Sequence, residues 1–403
     1  MIQSIKIKNF KALSGLEVTF TPFTILIGDN SVGKTSVLQA IAFLKSSCTS
    51  TFDKFLDERS LSIDDLYSKF VSSNTTTLSF STILFLQGKK LQWDITVYRD
   101  KGSLKLRSEE VSVKGRTILS YSNQKGAKSY RFNAETNTKE PIMTGTYSNS
   151  IIQITDSSKQ AEAYPELSTI KDFFTNLESL DMLSPQSMRG GSRGESSVLG
   201  LNGEKIGAFI KRLPALAQQS LNQDIQQFNS AFTSLAPKVK DKDLILLDAK
   251  EAYNGKTINV SSSNISDGFL RIIAFCAIRF LDNPGGAILL DEIEDGINNE
   301  HLALLVQILR RIQKENKVQI IATTHNTLLL DYWVDKCTVD LDNDPSNMDA
   351  TESILLLYRS KSGTAVAKNI FDSASIREKL SYMYPGEIIQ NMSNHELREA
   401  LEG

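Results

Sequence analysis

The segment Gly28-Asp29-Asn30-Ser31-Val32-Gly33-Lys34-Thr35 fits the pattern G-x-x-x-x-G-K-[ST] and constrains this chain more than any other feature. It lies between an apolar run at 23–28, typical of a buried strand, and an amphipathic run from Val32, typical of a helix. Glycines here let backbone N–H groups turn inward, where the helix N-terminus adds a positive dipole. The segment therefore predicts a loop that cradles nucleotide phosphates. The alternative is a glycine turn that merely enters a helix.

The side chains of this loop have separate expected roles. Lys34 is expected to bring an ammonium group to the β- and γ-phosphates, which also makes it a candidate catalytic residue. The hydroxyl of Thr35 is a candidate ligand for Mg²⁺. The predicted nucleotide-binding residues of the loop are Gly28, Asp29, Asn30, Ser31, Val32, Gly33, Lys34, Thr35 and Ser36.

A second apolar strand, at 286–290, delivers two adjacent carboxylates at its carboxyl end. In the Walker B interpretation, Asp291 holds Mg²⁺ and Glu292 polarises the attacking water as general base. The alternative is a surface loop of ordinary acids, because Glu294 and Asp295 follow at once. The presence of the phosphate loop favours the catalytic interpretation.

Two more positions are suited to binding an anion: the end of a third apolar strand and the start of a later helix. The apolar strand at 318–324 is followed by His325, whose neutral ring can hydrogen-bond a γ-phosphate. Taken alone, a structural histidine is the better explanation, but the position one βαβ unit beyond Asp291 reverses that preference. Ser266 is placed to cap a helix with Asp267 in its first turn, and Gly268 stands beside them. Capping and a second anion site are compatible.

In this order, the four segments resemble those of ABC-type ATPases related to RecF, SMC heads and the OLD family. The resemblance extends in particular to small ATP-binding proteins of bacterial anti-phage systems, such as PtuA-like and abortive-infection ATPases. It covers residues 1–48 and about 260–335. It implies ATP and Mg²⁺ as ligands, held between two head-to-tail subunits of a homodimer or a higher homo-oligomer.

The resemblance also implies roles for single residues. Ser266, Asp267 and Gly268 would form the signature motif, acting on nucleotide held by the other subunit, although NISDGFLR departs from the transporter pattern LSGGQ. His325 would be the switch histidine and Asp295 would belong to the D-loop. For the metal-contacting glutamine of the Q-loop, Gln186 is the first choice and Gln87 the second. Lys11 occupies a position near the nucleotide in relatives, while a solvated strand-end lysine explains it equally well.

The expected fold class is α/β: an ABC-type ATPase head with a mixed or parallel core sheet, an antiparallel β-meander lobe, a helical lobe and no long coiled coil. Residues 150–155 are predicted to be the last strand of the meander, 184–203 a mobile Gly/Ser-rich loop, and 243–260 strands of the βαβ core. The expected units are 1–75 (N-terminal part of the core), 76–160 (β lobe), 161–242 (helical lobe), 243–340 (C-terminal part of the core) and 341–403 (strand and helix tail).

The first functional hypothesis is an ATP-driven switch in anti-phage defence that controls a separately encoded effector, a nuclease or toxin. Its ATPase is expected to be slow and regulatory. The alternative is a RecF-like DNA-binding ATPase. A net charge of −2 gives no bulk attraction to nucleic acid, but residues 85–131 carry eleven basic and four acidic side chains. Solvated hairpins explain this excess as well as a DNA surface does.

Two further expectations concern the rest of the chain. Asp340, Asp342 and Asp344 form a D-x-D-x-D run, which we interpret as a polar turn because the glutamate and strands of a fused nuclease domain are missing. No apolar run approaches the roughly 18 residues of a spanning helix, so neither a membrane span nor a membrane partner is predicted. The expected location is cytoplasmic.

Overall fold

The computed structural model describes residues 1–71, 75–240, 243–282, 285–334, 351–361 and 363–402. The strands are β1 (Ile2–Phe10), β2 (Leu13–Thr19), β3 (Phe23–Gly28), β4 (Thr77–Leu86), β5 (Lys89–Asp100), β6 (Ser103–Val113), β7 (Arg116–Ser122), β8 (Tyr130–Asn133), β9 (Thr138–Pro141), β10 (Glu178–Leu180), β11 (Ser192–Arg193), β12 (Phe232–Lys240), β13 (Leu244–Tyr253), β14 (Lys256–Val260), β15 (Ala287–Leu290), β16 (Gln319–Thr323), β17 (Glu352–Arg359) and β18 (Ala365–Asn369). The helices are α1 (Lys34–Thr49), α2 (Phe52–Glu58), α3 (Ile151–Ile154), α4 (Ser157–Gln160), α5 (Pro165–Thr175), α6 (Pro185–Gly190), α7 (Ile206–Arg212), α8 (Ala215–Gln226), α9 (Asp267–Ile278), α10 (Leu302–Asn316), α11 (Thr327–Trp333), α12 (Ala374–Leu380), α13 (Pro385–Asn391) and α14 (Asn394–Glu402).

The central sheet has six strands in the order β10-β15-β16-β3-β17-β18, parallel except for the last pair. Alternate residues of its strands enter two different hydrophobic cores: Leu26 and Leu289 lie in one, Ile25 and Leu290 in the other. Burial on both faces explains why these strands are continuous apolar runs in the sequence. The carboxyl ends of β15, β16 and β3 meet at one edge, where the candidate site lies.

The second sheet has eight antiparallel strands in the order β2-β1-β4-β5-β6-β7-β8-β9. It contains the predicted antiparallel meander, and its first two strands come from the N-terminus. Its buried face shares a core with α1 and α5. The N-terminal strands and the meander therefore form one sheet, packed on the helix that follows the phosphate loop.

Three segments differ from the sequence-based expectation. Residues 151–154 are helical because Ser150 caps the turn and the buried carboxylate of Glu109 accepts the Ile151 N–H and the Ser150 hydroxyl, both at 2.5 Å. The loop at 184–203 contains α6 and the short strand β11. Strands β13 and β14 pair antiparallel in a third sheet with β11 and β12, outside the parallel core. A hairpin turn at 254–255 explains this pairing, because parallel neighbours need a longer crossover.

The run of Asp340, Asp342 and Asp344 lies outside the described residues. Within the part of the chain that is described, no helix has the length and apolar character needed to cross a bilayer.

A buried glutamine joins the two large sheets. The side chain of Gln319, at the start of β16, accepts the Ile2 N–H at 2.8 Å and donates to the carbonyls of Ile2 at 2.9 Å and Thr21 at 3.0 Å. It is 3% exposed. The amide thus binds the backbone of Ile2 in β1 and of Thr21 in the connection to β3, and this fixes the antiparallel sheet beside the central one.

Replacing Gln319 by Leu should lower the free energy of unfolding by about 1–3 kcal/mol, because the buried N–H and carbonyl of Ile2 lose their hydrogen bonds to this side chain. Chemical denaturation of the two proteins measures this difference. Gln307→Leu, at an exposed position of α10, is the matched control and should change stability by less than about 0.5 kcal/mol. Equal midpoints for the parent and Gln319→Leu would show that this amide does not hold the sheets together.

Candidate nucleotide-binding site

The loop between β3 and α1 is shaped by two glycines in conformations that other residues rarely adopt. The φ angles are 140° at Gly28 and 117° at Gly33. A Cβ atom at Gly28 would lie 2.1 Å from the Leu357 carbonyl oxygen, and one at Gly33 would lie 2.6 Å from Leu13 Cδ2. Gly33 is also the N-cap of α1, and the first turn contains no acidic residue. The positive end of a 16-residue helix therefore faces the loop, and its own first turn contributes no carboxylate that would neutralise it.

Lys34 is the first residue of α1, and its ammonium group lies inside the curled loop. The Nζ atom donates to the carbonyl oxygens of Gly28 at 2.7 Å and Asp29 at 3.1 Å. Burial lowers the pKa of Lys34, while Asp291 and Glu292 act in the opposite direction. The ammonium is thus held at the mouth of the amide-lined turn, where a phosphate can replace the carbonyls as its partner.

Asp291 connects the phosphate loop to two strands of the central sheet. Its Oδ2 accepts from the Thr35 hydroxyl at 2.9 Å, and its Oδ1 accepts from the Thr323 hydroxyl. The Thr323 Oγ1 in turn accepts the backbone N–H of Glu292 at 2.9 Å. Burial is the main reason why the pKa of Asp291 is raised. The carboxylate therefore has a fixed orientation and an environment that a cation would stabilise.

Glu292 and His325 follow on the neighbouring strand ends. His325 Nε2 lies 3.5 Å from Glu292 Oε1, and both side chains are partly exposed. Glu292 has a φ of 45°, a left-handed conformation that costs about 1–2 kcal/mol and is found preferentially at functional sites. The backbone N–H of His325 donates to Glu294 Oε1 at 2.6 Å, which fixes the start of the loop that carries the imidazole.

These residues fit a magnesium-bound nucleoside triphosphate. The hydroxyl of Thr35 and the carboxylate of Asp291 are hard oxygen donors that lie 2.9 Å apart beside the loop. The cradle admits no Cβ at its two glycines, and the lysine ammonium is already directed at it. Thr35 and Asp291 would hold the metal, and the loop amides and Lys34 the phosphates.

The predicted signature segment lies at the start of α9. The Ser266 side chain accepts the Phe269 N–H at 3.3 Å, so the expected cap is present. Ser266 and Asp267 are exposed, but Gly268 is buried: its Cβ would lie 1.8 Å from the Gly296 carbonyl oxygen. The glycine lets the helix pack against the loop that follows Glu292. Ser266 and Gly268 line a cavity of about 420 Å³, while Gly28 and His325 line a different one.

Two ion pairs connect the signature helix to its surroundings. Arg271, one turn into α9, donates to Asp295 of the predicted D-loop at 2.7 Å. Arg189 of α6 donates to the Ile265 carbonyl at 2.7 Å and pairs with Asp267. A shift of α9 would therefore be transmitted to the loop after Glu292 and to the segment at 184–203.

The two glutamines chosen as metal ligands are not among the residues that line the cavity at Asp291 and Glu292. Gln186 is exposed on α6, whereas Ser184, Ser187 and Asp181 line the cavity that contains Asp291 and Glu292. Gln87 sits in the β4–β5 turn with a φ of 50°. Helical geometry directs position 186 away from the face that positions 184 and 187 share. A metal contact by Gln186 or Gln87 stays a prediction.

Sequence reasoning missed Thr323, Glu294 and Asp181. Asp181 is found through the register of the sheet, because Leu180 pairs with Leu290 and the next residues are Asp181 and Asp291. Asp181 forms a buried ion pair with Arg59 at 2.8 Å. For Thr323 the signal was a hydroxyl at the end of the strand before His325. Lys11, for which the sequence left two explanations, is half-buried, and its backbone N–H donates to the Leu66 carbonyl at 2.8 Å.

The basic stretch of the meander is partly neutralised. Four of its eleven cations are paired: Lys89 with Glu166, Arg99 with Asp64, Lys105 with Asp100 and Arg131 with Glu140. Three of these carboxylates lie outside residues 85–131 and offset three of the seven excess positive charges. The remaining excess is a weaker field than the sequence suggested.

Comparison with known proteins agrees with this geometry. A family model described as "AAA domain, putative AbiEii toxin, Type IV TA system" matches residues 23–331. The chain belongs to this family. The match contains the phosphate loop, the signature segment, Asp291 and His325, so the chain is an ATPase of the AAA/SMC-like class. The predicted relationship to ABC-type ATPases is confirmed.

Two curated relatives resemble most of the chain. The "Septu protein PtuA" of Bacillus mycoides (strain KBAB4) is 24% identical over 373 residues, which are 88% of this chain and 42% of the relative. The chain thus spans less than half the length of that protein. An "ATP/GTP phosphatase" of Helicobacter pylori (strain ATCC 700392 / 26695) is 21% identical over 336 residues, 81% of this chain and 85% of the relative.

Solved structures show the same fold. An SMC head bound to the C-terminal winged-helix domain of ScpA superposes with a TM-score of 0.55 at 15% identity, covering 91% of this chain and 97% of the other. An SMC head with an extended coiled coil, bound to the C-terminal domain of ScpA from Pyrococcus furiosus, gives a TM-score of 0.52 at 12% identity, with 94% and 99% covered. The expected α/β ATPase head is therefore confirmed.

Thr323→Val should reduce ATP hydrolysis at least tenfold, because Asp291 loses one hydrogen bond and the Glu292 N–H loses its acceptor. Stability should fall by about 1–3 kcal/mol. Steady-state hydrolysis and thermal unfolding measure the two effects. Thr323→Ser keeps the hydroxyl and should retain most of the activity. If the Val variant hydrolyses ATP as the parent does, the threonine does not position the two carboxylates.

Proposed function

We propose that this chain binds MgATP between two head-to-tail subunits and uses ATP binding and hydrolysis as a conformational switch. The observation that carries this proposal is the convergence of Lys34, Thr35, Asp291, Glu292 and His325 at one edge of the central sheet. This one set of residues supplies a phosphate loop, a carboxylate for the metal and a candidate general base within one subunit. The head-to-tail arrangement of two subunits rests on the resemblance of the four sequence segments to those of ABC-type ATPases.

The chain's own residues divide the chemistry. Lys34 and the loop amides bind the phosphates, and Thr35 and Asp291 would hold Mg²⁺, which would neutralise charge on the phosphates. Glu292 Oε1, exposed and next to His325, accepts a proton from the attacking water. His325 orients that carboxylate and hydrogen-bonds the terminal phosphate, so that its position reports whether the phosphate is present.

The second half of each site comes from the partner subunit. Ser266 is exposed at the N-terminus of α9 and lines a cavity separate from the chain's own phosphate loop. A second copy can supply this helix end to the γ-phosphate. Because that contact exists only with triphosphate, ATP stabilises the closed dimer and hydrolysis releases it. The ion pair of Arg271 with Asp295 links closure to the loop after Glu292.

The switch serves anti-phage defence and controls a separately encoded effector, a nuclease or toxin. This part of the proposal is supported by the similarity to the Septu protein PtuA over 88% of the chain. The SMC heads with a bound ScpA domain offer a precedent for partner binding on this fold. A slow ATPase suits such a switch better than a fast one, because the closed dimer then persists longer before hydrolysis releases it.

Glu292→Gln should bind MgATP, but its rate of hydrolysis should fall by about 100-fold or more, because the amide cannot accept the proton. With the ATP not consumed, the closed dimer should accumulate. Steady-state hydrolysis and mass measurement of the particles with and without ATP measure both effects. Glu300→Gln is the control, because Glu300 is an exposed carboxylate in the same segment between β15 and α10. Parent-like hydrolysis by Glu292→Gln would exclude this residue as the base.

Ser266→Arg should retain nucleotide but lose hydrolysis, since the side chain blocks the surface that meets the partner's ATP. Lys34→Ala should lose both. If the site is shared, mixing the two variants restores one intact site, formed by the loop of the first and the signature of the second. The mixture should regain activity that neither variant has alone.

Ser263→Arg, at an exposed position outside the cap, is the matched control for Ser266→Arg. Full activity of Ser266→Arg, or a mixture as inactive as its components, would contradict catalysis between subunits.

A further inference from the structure

A buried carboxylate in the meander has no part in the site described above. Glu109, on β6, is 1% exposed. Its Oε1 atom accepts the Trp93 indole N–H at 2.9 Å and the Ser150 hydroxyl at 2.5 Å, and its Oε2 atom accepts the Ile151 N–H at 2.5 Å. The carboxylate therefore joins β5 and β6 to the segment that begins α3.

The turn that Glu109 holds is packed against the helix of the phosphate loop. Ile151 and Ile152 are buried in the same hydrophobic core as α1 and α5, and α3 contacts both of these helices. The Ile152 N–H donates to the Ser150 Oγ at 3.1 Å, so the cap and the carboxylate form one connected set of hydrogen bonds. Opening of this turn would remove two isoleucines from the core that supports α1.

Two opposing effects act on the proton of Glu109. Burial disfavours the charged form, whereas hydrogen bonds from the three donors favour it. Burial is the larger effect and raises the pKa of Glu109 from 4.5 to about 7. The closed turn thus keeps a proton that a hydrated glutamate has already released at the same pH.

The other titratable groups around Glu109 keep their charge state near neutral pH. Cys48, at the end of α1, and Tyr121, opposite Glu109 on β7, stay neutral because burial raises the pKa of both. Lys171 of α5 donates to two backbone carbonyls at the other end of α3. The charged side chains on α2 and at the nearest positions of β5 and β6 are exposed or partly exposed: Asp53, Lys54, Asp57, Glu58, Asp94 and Glu110.

We propose that Glu109 is a proton-operated latch, which fastens α3 and the meander to the phosphate-loop helix while it is neutral and lets α3 open once it is ionised. The reason is linkage: an open turn hydrates the carboxylate, which then releases its proton, so a rise in pH favours the open form. Between about pH 5 and 7 the ratio of open to closed turns should rise by up to about tenfold per pH unit. Above that range the ratio should level off, because the closed form is then ionised as well.

Hydrogen exchange tests the latch directly, because the amides of Ile151 and Ile152 donate to Glu109 and Ser150. After correction for the intrinsic pH dependence of exchange, their protection in the parent should fall by about tenfold or more between about pH 5.5 and 7.5. In Glu109→Gln, which has no proton to release, protection should change by less than about twofold over the same range. Glu110→Gln, at the exposed neighbouring position, is the matched control and should behave as the parent does.

A second measurement needs no change at Glu109 and decides the matter even if Glu109→Gln does not fold. In the parent labelled with ¹⁵N-tryptophan, the indole resonance of Trp93, identified by its loss in Trp93→Phe, should shift with a midpoint at about pH 7. A resonance that stays constant from about pH 5.5 to 8.5 would show that Glu109 does not change charge there. Protection of Ile151 and Ile152 that is independent of pH in the parent would show that its ionisation does not open α3. Either result overturns the proposal.

Discussion

The carboxylate of Asp291 is the point on which the site depends, because it connects three elements that are far apart in the sequence. Its two oxygens accept from hydroxyls on α1 and β16, and it lies itself at the end of β15. Hydrogen bonds to a buried carboxylate are among the stronger ones in proteins, at about 1.5–3 kcal/mol each. Any movement of the phosphate loop relative to the strands breaks one of them, so the loop and the candidate base keep their mutual geometry.

Close backbone contacts extend this geometry from the site to the surface. Gly268 lies against the Gly296 carbonyl with no room for a side chain, and Arg271 pairs with Asp295 in the same loop. Helix α9, exposed at Ser266 and Asp267 and otherwise largely buried, and the loop after Glu292 thus behave as one packed unit. In the proposed dimer, a partner subunit that contacts the helix end would act through these contacts on the loop that follows Glu292.

Local sequence patterns were reliable where one face or both faces of an element are buried. The run at 23–28 is β3, and the helix and strand around 302–325 lie where their apolar periodicity put them. The wrong secondary-structure predictions concern segments whose conformation depends on a polar group far away in the sequence. Residues 151–154 have a strand-like composition, yet the carboxylate of Glu109 captures the Ile151 N–H and starts a helical turn. Ser150 is a local capping residue, but the carboxylate that accepts its hydroxyl and the Ile151 N–H lies 41 positions away from it in the sequence.

The sequence by itself determined the phosphate loop, the pair Asp291 and Glu292, and the ATPase class, because these depend on glycine conformations and on residue types at fixed spacing. The tertiary structure alone decided which polar groups face them. Thr323 and Asp181 meet Asp291 through the register of parallel strands, while Gln186 is turned outward on α6. Arg359, the last residue of β17, reaches the Ser31 carbonyl of the phosphate loop across 328 positions of sequence because β17 pairs with β3. Pairing between distant strands is set by the whole hydrophobic core, which no local pattern encodes.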